Sequence, residues 1–338
     1  MKKIINNAND VIDEMIAGLT LAYPDYVKHL PTDATGQGII VRSIPKKEKV
    51  ALISGCGSGH EPACAGFVGE GMLDAVACGP VFTSPGVGPI LEGIKAINTG
   101  KGVLMIIPNY SGDVLNFQMA AEMAEAEGIK TGKIIVNDDV AVMNSTYTIG
   151  RRGIAGTILV QKITGAAAEA GLDLDAVQKI GEKAVANTRS MGIGLSACTV
   201  PEAGKPGFEL APDEIEIGLG IHGEPGVIRD KIKTADELTE HILVDYILKD
   251  KPIESGEEVA VLINGLGATP MMELFIVSRK VHDILDKSGI KIYSTNVGNF
   301  MTSLEMAGFS VSVLKLDPEL KRYYDAKART ITWRVCCQ

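Results

Sequence analysis

The 338 residues exceed the size at which one hydrophobic core usually keeps growing, so two domains sharing a cleft are expected. Hydrophobic residues at 46% and charged residues at 22% are ordinary for a globular chain, while 38 Gly and only 5% aromatics point to many tight strand-to-helix turns, which favours α/β. A net charge of -9 and a pI near 5.2, with no basic cluster beyond short runs such as Lys46 to Lys49, argue against nucleic acid as the main partner.

The start, Met1 to Asn7, is basic and then polar, which is not the pattern of a secretory signal, and no apolar run approaches membrane-spanning length. Val11, Ile12, Met15, Ile16 and Leu19 recur at helical spacing ahead of Pro24, so an amphipathic helix opens the chain. Val50 to Ile53 form a short apolar run that stops at Gly55-Cys56-Gly57-Ser58-Gly59-His60, a strand followed by a glycine loop. The pattern repeats where Val103 to Ile107 meet Pro108-Asn109-Tyr110-Ser111-Gly112-Asp113, and where Ile134 to Val136 meet Asn137-Asp138-Asp139. Ligands bind at the carboxyl ends of strands in open parallel sheets, so these three loops are expected to line one crevice. Helical composition over Pro89 to Ile97 and Phe117 to Ala126 completes a βαβ alternation and predicts a doubly wound, mostly parallel sheet.

A long helical stretch from Ile154 through Ala170 to Ala186 closes this first domain, giving a boundary near Asn187 and domains over 1–187 and 188–338. The second half restarts as strand at Ile193 to Cys198 and at Glu214 to Ile221, which ends in His222-Gly223-Glu224-Pro225-Gly226. Val259 to Asn264 then feed a glycine turn and a helix through Leu285, and Phe309 to Leu316 read as a late strand in a mixed sheet. The six cysteines (Cys56, Cys64, Cys78, Cys198, Cys336, Cys337) show no CxxC spacing and read as reduced thiols of a cytoplasmic protein. The adjacent Cys336 and Cys337 are hard to bridge to one another and are expected in a mobile tail.

Gly55 and Gly57 match the first two glycines of a GxGxxG dinucleotide loop, but His60 stands at the third, and a strand-end acidic residue about 20 positions on is absent. No P-loop and no HExxH occurs, and the histidines are too dispersed for a local metal signature. His222, at a strand end and flanked by glycines, is a candidate functional residue, whereas His29, His241 and His282 read as structural. Asp113 reads slightly better as a helix cap for the segment beginning at Val114 than as a ligand. Asp138 and Asp139 are caps or ligands, and Gly150-Arg151-Arg152-Gly153 is an anion site or, at least as readily, a surface or partner contact.

Taken together, Gly57-Ser58-Gly59-His60-Glu61-Pro62, Asn109-Tyr110-Ser111-Gly112-Asp113, Gly150-Arg151-Arg152-Gly153, Cys198-Thr199-Val200-Pro201, Gly220-Ile221-His222-Gly223-Glu224-Pro225-Gly226 and Leu266-Gly267-Ala268-Thr269-Pro270 closely resemble the dihydroxyacetone kinase family. The match is ordered, spans nearly the whole chain, and is similar to the separate substrate-binding K subunit of the phosphotransferase-dependent bacterial type. The resemblance implies that His222 adds to the ketone carbon as a hemiaminal, that Asp113 accepts the proton of the hydroxyl being phosphorylated, and that His60 hydrogen-bonds the substrate and assists acid-base chemistry. Gly57, Ser58 and Gly59 would line the ligand. It implies no cofactor on this chain, ADP and Mg on a partner L subunit, a phosphocarrier supplying that partner, and a cytoplasmic homodimer in glycerol metabolism. Pro108 departs from the Lys usual in this family, Cys56 from a Gly, and Lys327 from a Pro. The alternatives are a non-catalytic paralogue that senses the ketone as a transcription coactivator, and a kinase subunit for a related ketose such as erythrulose.

Overall fold

The computed structural model describes residues 2–44, 47–143 and 149–336; Lys46 and Cys337 lie outside them. Among the described residues fifteen strands run in chain order as β1 (Val27–Leu30), β2 (Gly38–Arg42), β3 (Ala51–Ser58), β4 (Gly69–Glu70), β5 (Ala75–Val81), β6 (Val103–Pro108), β7 (Thr131–Val136), β8 (Thr188–Gly194), β9 (Glu214–Ile217), β10 (Ile228–Lys231), β11 (Glu258–Gly265), β12 (Lys291–Gly298), β13 (Gly308–Leu316), β14 (Ala328–Thr330) and β15 (Arg334–Val335). The first sheet has the order β1-β2-β5-β3-β6-β7: β5, β3, β6 and β7 run parallel, and β2 and β1 extend one edge antiparallel. The second has the order β10-β9-β8-β13-β11-β12 and is antiparallel except for the β11–β12 pair. One mostly parallel and one mixed sheet are what the strand patterns predicted.

Among the described residues the eight α-helices are α1 (Val11–Ala22), α2 (Val87–Ile97), α3 (Ser111–Ala126), α4 (Thr157–Glu169), α5 (Leu174–Asn187), α6 (Ala235–Glu240), α7 (Met271–Lys287) and α8 (Pro318–Asp325). Strand alternation sorts them into layers, because successive side chains leave a strand on opposite faces. In β3, Ile53 faces the cluster of α2 and α3, while Leu52 faces a large core shared with α4, α5 and α8. In β11, Val261 and Ile263 face the α7 cluster, while Ala260 and Leu262 enter that same large core. The two sheets therefore sandwich one helical layer. Helix α4 is its centre, with every residue from Thr157 to Ala168 buried, as expected of a helix that meets packing on all sides.

Several sequence expectations are corrected here. The long helix predicted from Ile154 to Ala186 is two, α4 and α5, because Gly171 turns the chain at φ 83° and the Asp173 side chain caps α5 by accepting from the Ala176 N–H. The strand read over Ile193 to Cys198 begins earlier, at Thr188, and the one read over Glu214 to Ile221 ends at Ile217. Residues 318–335 leave the second sheet: Leu320, Tyr323, Tyr324 and Trp333 pack in the shared core, and β14 pairs with β4 of the first half. Lys327 in this returning segment forms an ion pair with Glu70 at 3.0 Å.

Candidate functional site

The carboxyl ends of β3 and β6 and the turn after β9 open onto one cavity of about 700 Å³, lined among others by Cys56, Gly57, His60, Ser84, Asp113 and His222. Of the three residues expected to line the ligand, Gly57 lines this cavity, whereas Ser58 and Gly59 line a separate pocket beside the N-terminal helix, the Ser58 hydroxyl donating to the Gly79 carbonyl at 2.8 Å. Glycine is required at 57, because a Cβ there would lie 2.4 Å from the Thr83 nitrogen. Gly59 adopts φ 104°, the region where a side chain is strained.

His60 and His222, 162 residues apart, meet through their Nε2 atoms at 3.1 Å. Their outer nitrogens fix the tautomers. Nδ1 of His60 lies 2.8 Å from the Thr302 carbonyl, which can only accept, so that nitrogen carries a hydrogen. Nδ1 of His222 lies 2.9 Å from Glu224 Oε1. Burial opposes charge on Glu224, but the His222 bond and the nearby Arg152 overrule it and hold the carboxyl down at about 2, so Glu224 is ionised and Nδ1 of His222 also carries a hydrogen. Two bare Nε2 lone pairs would then face each other, so the 3.1 Å contact needs one further proton. Burial, and then the charge of His222, push His60 down to about 3, so its ring is neutral. His222 is thus held between the Glu224 carboxylate and a neutral His60.

Phe82 and Tyr110 complete an aromatic collar. Phe82 stacks on His60 with ring centroids 4.9 Å apart, and Tyr110 meets His222 edge-on at 4.7 Å. Phe82 holds φ 55° to do so, a costly conformation for a bulky residue and one that clusters at functional sites. Across the cavity, Ser84 donates to Asp113 Oδ2 at 2.6 Å, while Oδ1 is buried without a partner among the described residues. Burial pushes Asp113 up to about 6, with the Ser84 bond opposing. Asp113 is not the helix cap expected for a segment starting at Val114. Helix α3 starts at Ser111, and Asp113 sits in its first turn with its side chain turned to Ser84.

The third loop does not line the crevice, against expectation. Asp138 accepts from the Ile154 and Gly156 N–H groups at 2.9 Å each, and Asp139 accepts from Arg152 Nε at 2.7 Å. Arg152 is wholly buried, so the surface reading of its motif fails for it. It also donates to the Gly218 carbonyl at 2.6 Å and stands beside Glu224 and Tyr110. Its neighbour Arg151 pairs with Asp250. His29, His241 and His282 lie away from the cavity, His282 bonding Thr295 at 2.9 Å. Sequence reasoning assigned no role to Glu224, Ser84, Phe82 or Tyr110, and read Arg152 as an anion-site or surface residue. Glu224 alone had a local signal: a carboxylate two positions after His222 in a glycine turn folds back on that histidine's own N–H, at 2.9 Å. Among the described residues no cluster is suited to hold a metal, and no helix is long and apolar enough to cross a membrane.

A buried imidazole with its outer nitrogen clamped, beside a second imidazole and a buried carboxylate held by Ser84, defines a site suited to covalent or acid-base handling of a small molecule. The Dak1 domain model matches residues 17–332. The chain is 51% identical over 319 residues to the PTS-dependent dihydroxyacetone kinase 1, dihydroxyacetone-binding subunit DhaK of Listeria innocua, covering 94% of this chain and 95% of that protein. It is 43% identical to the PEP-dependent counterpart of Escherichia coli, covering 98% of each. Among solved structures it superposes on the native dihydroxyacetone kinase of C. freundii with TM-score 0.91 at 35% identity, over 99% of this chain but 60% of that one. It superposes on the dihydroxyacetone kinase operon co-activator Dha-DhaQ with TM-score 0.87 at 34% identity, over 97% and 99%. The chain belongs to the dihydroxyacetone kinase family, with the length of the separate DhaK subunit.

Proposed function

We propose that this chain is the dihydroxyacetone-binding subunit of a phosphoenolpyruvate-fed dihydroxyacetone kinase, holding the ketone covalently on His222 while its terminal hydroxyl is phosphorylated. The observation that carries the reading is the 3.1 Å contact between the two Nε2 atoms. As the ketone enters, the proton that this contact requires passes through His60 to the carbonyl oxygen, and the freed Nε2 of His222 forms the C–N bond. The C=O π pair becomes the hemiaminal hydroxyl, which His60 then accepts from. The product is an alkylated imidazolium of His222 held against the Glu224 carboxylate. Glycerol lacks the electrophilic carbon and is refused. Covalent attachment fixes the terminal hydroxyl for in-line transfer, and Asp113 Oδ1 is the acceptor for its proton. Burial sets Asp113 near 6, which keeps it ionised at neutral pH yet basic enough to accept.

Nucleotide and magnesium belong to a partner L subunit recharged by a phosphocarrier, and the assembly is a cytoplasmic homodimer of this chain with that partner. The test is phosphate transfer from phosphoenolpyruvate to dihydroxyacetone with the L subunit and phosphocarriers, with His222→Ala and Asp113→Asn as controls. Turnover that both substitutions abolish supports the reading. Pro108 on the cavity wall, and the similarity to an operon co-activator, favour a second reading as a ketone sensor. Tight ketone binding without transfer, in the presence of partners shown to be active, would select it.

A further inference from the structure

Cys56 and Cys64 have no role in the chemistry above, yet their Sγ atoms stand 2.8 Å apart. Cys56 is half-buried on the cavity wall, and Cys64 is buried behind it, so a small reagent that reaches Cys56 does so through the cavity and finds Cys64 next. Between them in sequence lie Gly57, Gly59 and His60, the segment whose geometry sets the Nε2 contact with His222. Cys78 stands opposite Cys56 on the neighbouring parallel strand, buried and pushed up by that burial, a competing but inert thiol.

We propose that Cys56 and Cys64 form an oxidation site for two-electron thiol oxidants, entered through the ketone cavity, and that the resulting disulfide misaligns His60 and suppresses ketone capture. Sγ joins Sγ, and the two hydrogens pass to the oxidant: a peroxide leaves as two waters, an azo reagent as a hydrazine. The second half of the proposal rests on the ketone-binding reading; the first does not. The mutual thiol bond, then burial, holds Cys56 well above its usual range, so Cys56 persists as a thiol near neutrality and its oxidation accelerates as pH rises.

The experiment treats the full-length protein with diamide, maps thiols by peptide mass, and measures dihydroxyacetone binding before and after. The expected result is a Cys56–Cys64 linked peptide, formed more slowly when dihydroxyacetone is present, with ketone binding weakened about ten-fold or more and restored by dithiothreitol. Cys64→Ser should form no link and keep its ketone binding through the treatment. Modification confined to Cys336, or a link from Cys56 to Cys78, would overturn the site. A linked protein that binds ketone as tightly as the reduced one would overturn its effect. Reduced protein that binds no ketone would count against the functional reading, and the linked peptide would still decide the site.

Discussion

Replacing Asp113 by Asn should abolish transfer and, at the same time, stabilise the protein in a way that depends on pH. Burial raises the carboxyl from 3.8 to about 6. With a folded value above the unfolded one, the fold binds the extra proton between those two values, and stability falls as pH rises through that window and is flat above it. At about 1.4 kcal/mol per pH unit, the ionised carboxylate costs the fold about 3 kcal/mol at pH 8. At about pH 4.5 the same linkage costs only about 1 kcal/mol, so the advantage of Asp113→Asn grows by about 2 kcal/mol between the two pH values. That difference is independent of any constant cost of placing an amide where Oδ1 has no partner. Urea denaturation of both proteins at the two pH values, without ketone, measures it directly. An advantage that stays constant or shrinks with rising pH refutes the assignment of Asp113 as a desolvated carboxylate. A transfer rate in the unaltered enzyme that shows no acid limb near 6 refutes its use as the proton acceptor.

Glu224→Gln removes the counter-charge of His222, and a charged hydrogen bond is worth about 1.5–3 kcal/mol, so ketone affinity should fall about 10- to 100-fold by calorimetry. Unchanged affinity would remove the counter-charge from the account. A Cβ on Gly220 would fall 2.0 Å from Glu224 Oε2 and 2.7 Å from Arg152 Nη1, so Gly220→Ala should copy the affinity loss of Glu224→Gln while circular dichroism stays native. Unchanged affinity would show that the turn has slack. Lys162 is buried in α4, its ammonium bonded to the Tyr323 carbonyl at 2.6 Å and pushed down by burial from 10.5 to about 8. Its charge therefore costs the fold about 3 kcal/mol at pH 7, a cost that fades as pH rises through the interval from 8 to 10.5. The native protein should gain stability over that interval and Lys162→Met should not; parallel pH profiles would contradict it.

What could be read from sequence was whatever depends on short-range pattern. His60 and Asp113 each sit just past an apolar run of the parallel first sheet, so their meeting in one cavity followed from the alternation, whereas His222 follows a strand of the antiparallel second sheet and was joined to them only by the family resemblance. Ser84 and Phe82 were missed because β5 is built from Ala75-Val76-Ala77-Cys78-Gly79-Pro80-Val81, too small and too even in polarity to announce a strand or the loop after it. Arg152 was misjudged because its partners Asp139 and Gly218 come together only when the second sheet packs against the first. The return of residues 318–335 was equally hidden, since Trp333 and Tyr324 gain their burial from the shared core rather than from their neighbours.

The same long-range packing explains why the chemistry needs both halves. Asp113 and His60 ride on the first sheet, and His222 with its Glu224 clamp rides on the second, so the Nε2 contact exists only if the interface between them is held to a fraction of an ångström. Residues 302–304 supply that hold. The Thr302 N–H donates to the His60 carbonyl at 3.1 Å, the Leu304 N–H to the Gly59 carbonyl at 2.8 Å, and the Thr302 hydroxyl to the Glu61 carbonyl at 2.9 Å. The Thr302 carbonyl then fixes the His60 tautomer, and the Ser303 hydroxyl donates to the Ile221 carbonyl beside His222 at 2.5 Å. Leu304 adopts φ 53° to close this stitch, strain that nothing in its own sequence demands and that the two-sheet site accounts for. One short segment thus grips both histidine loops by their backbones, which places the Nε2 contact under the control of the inter-sheet interface rather than of either sheet alone.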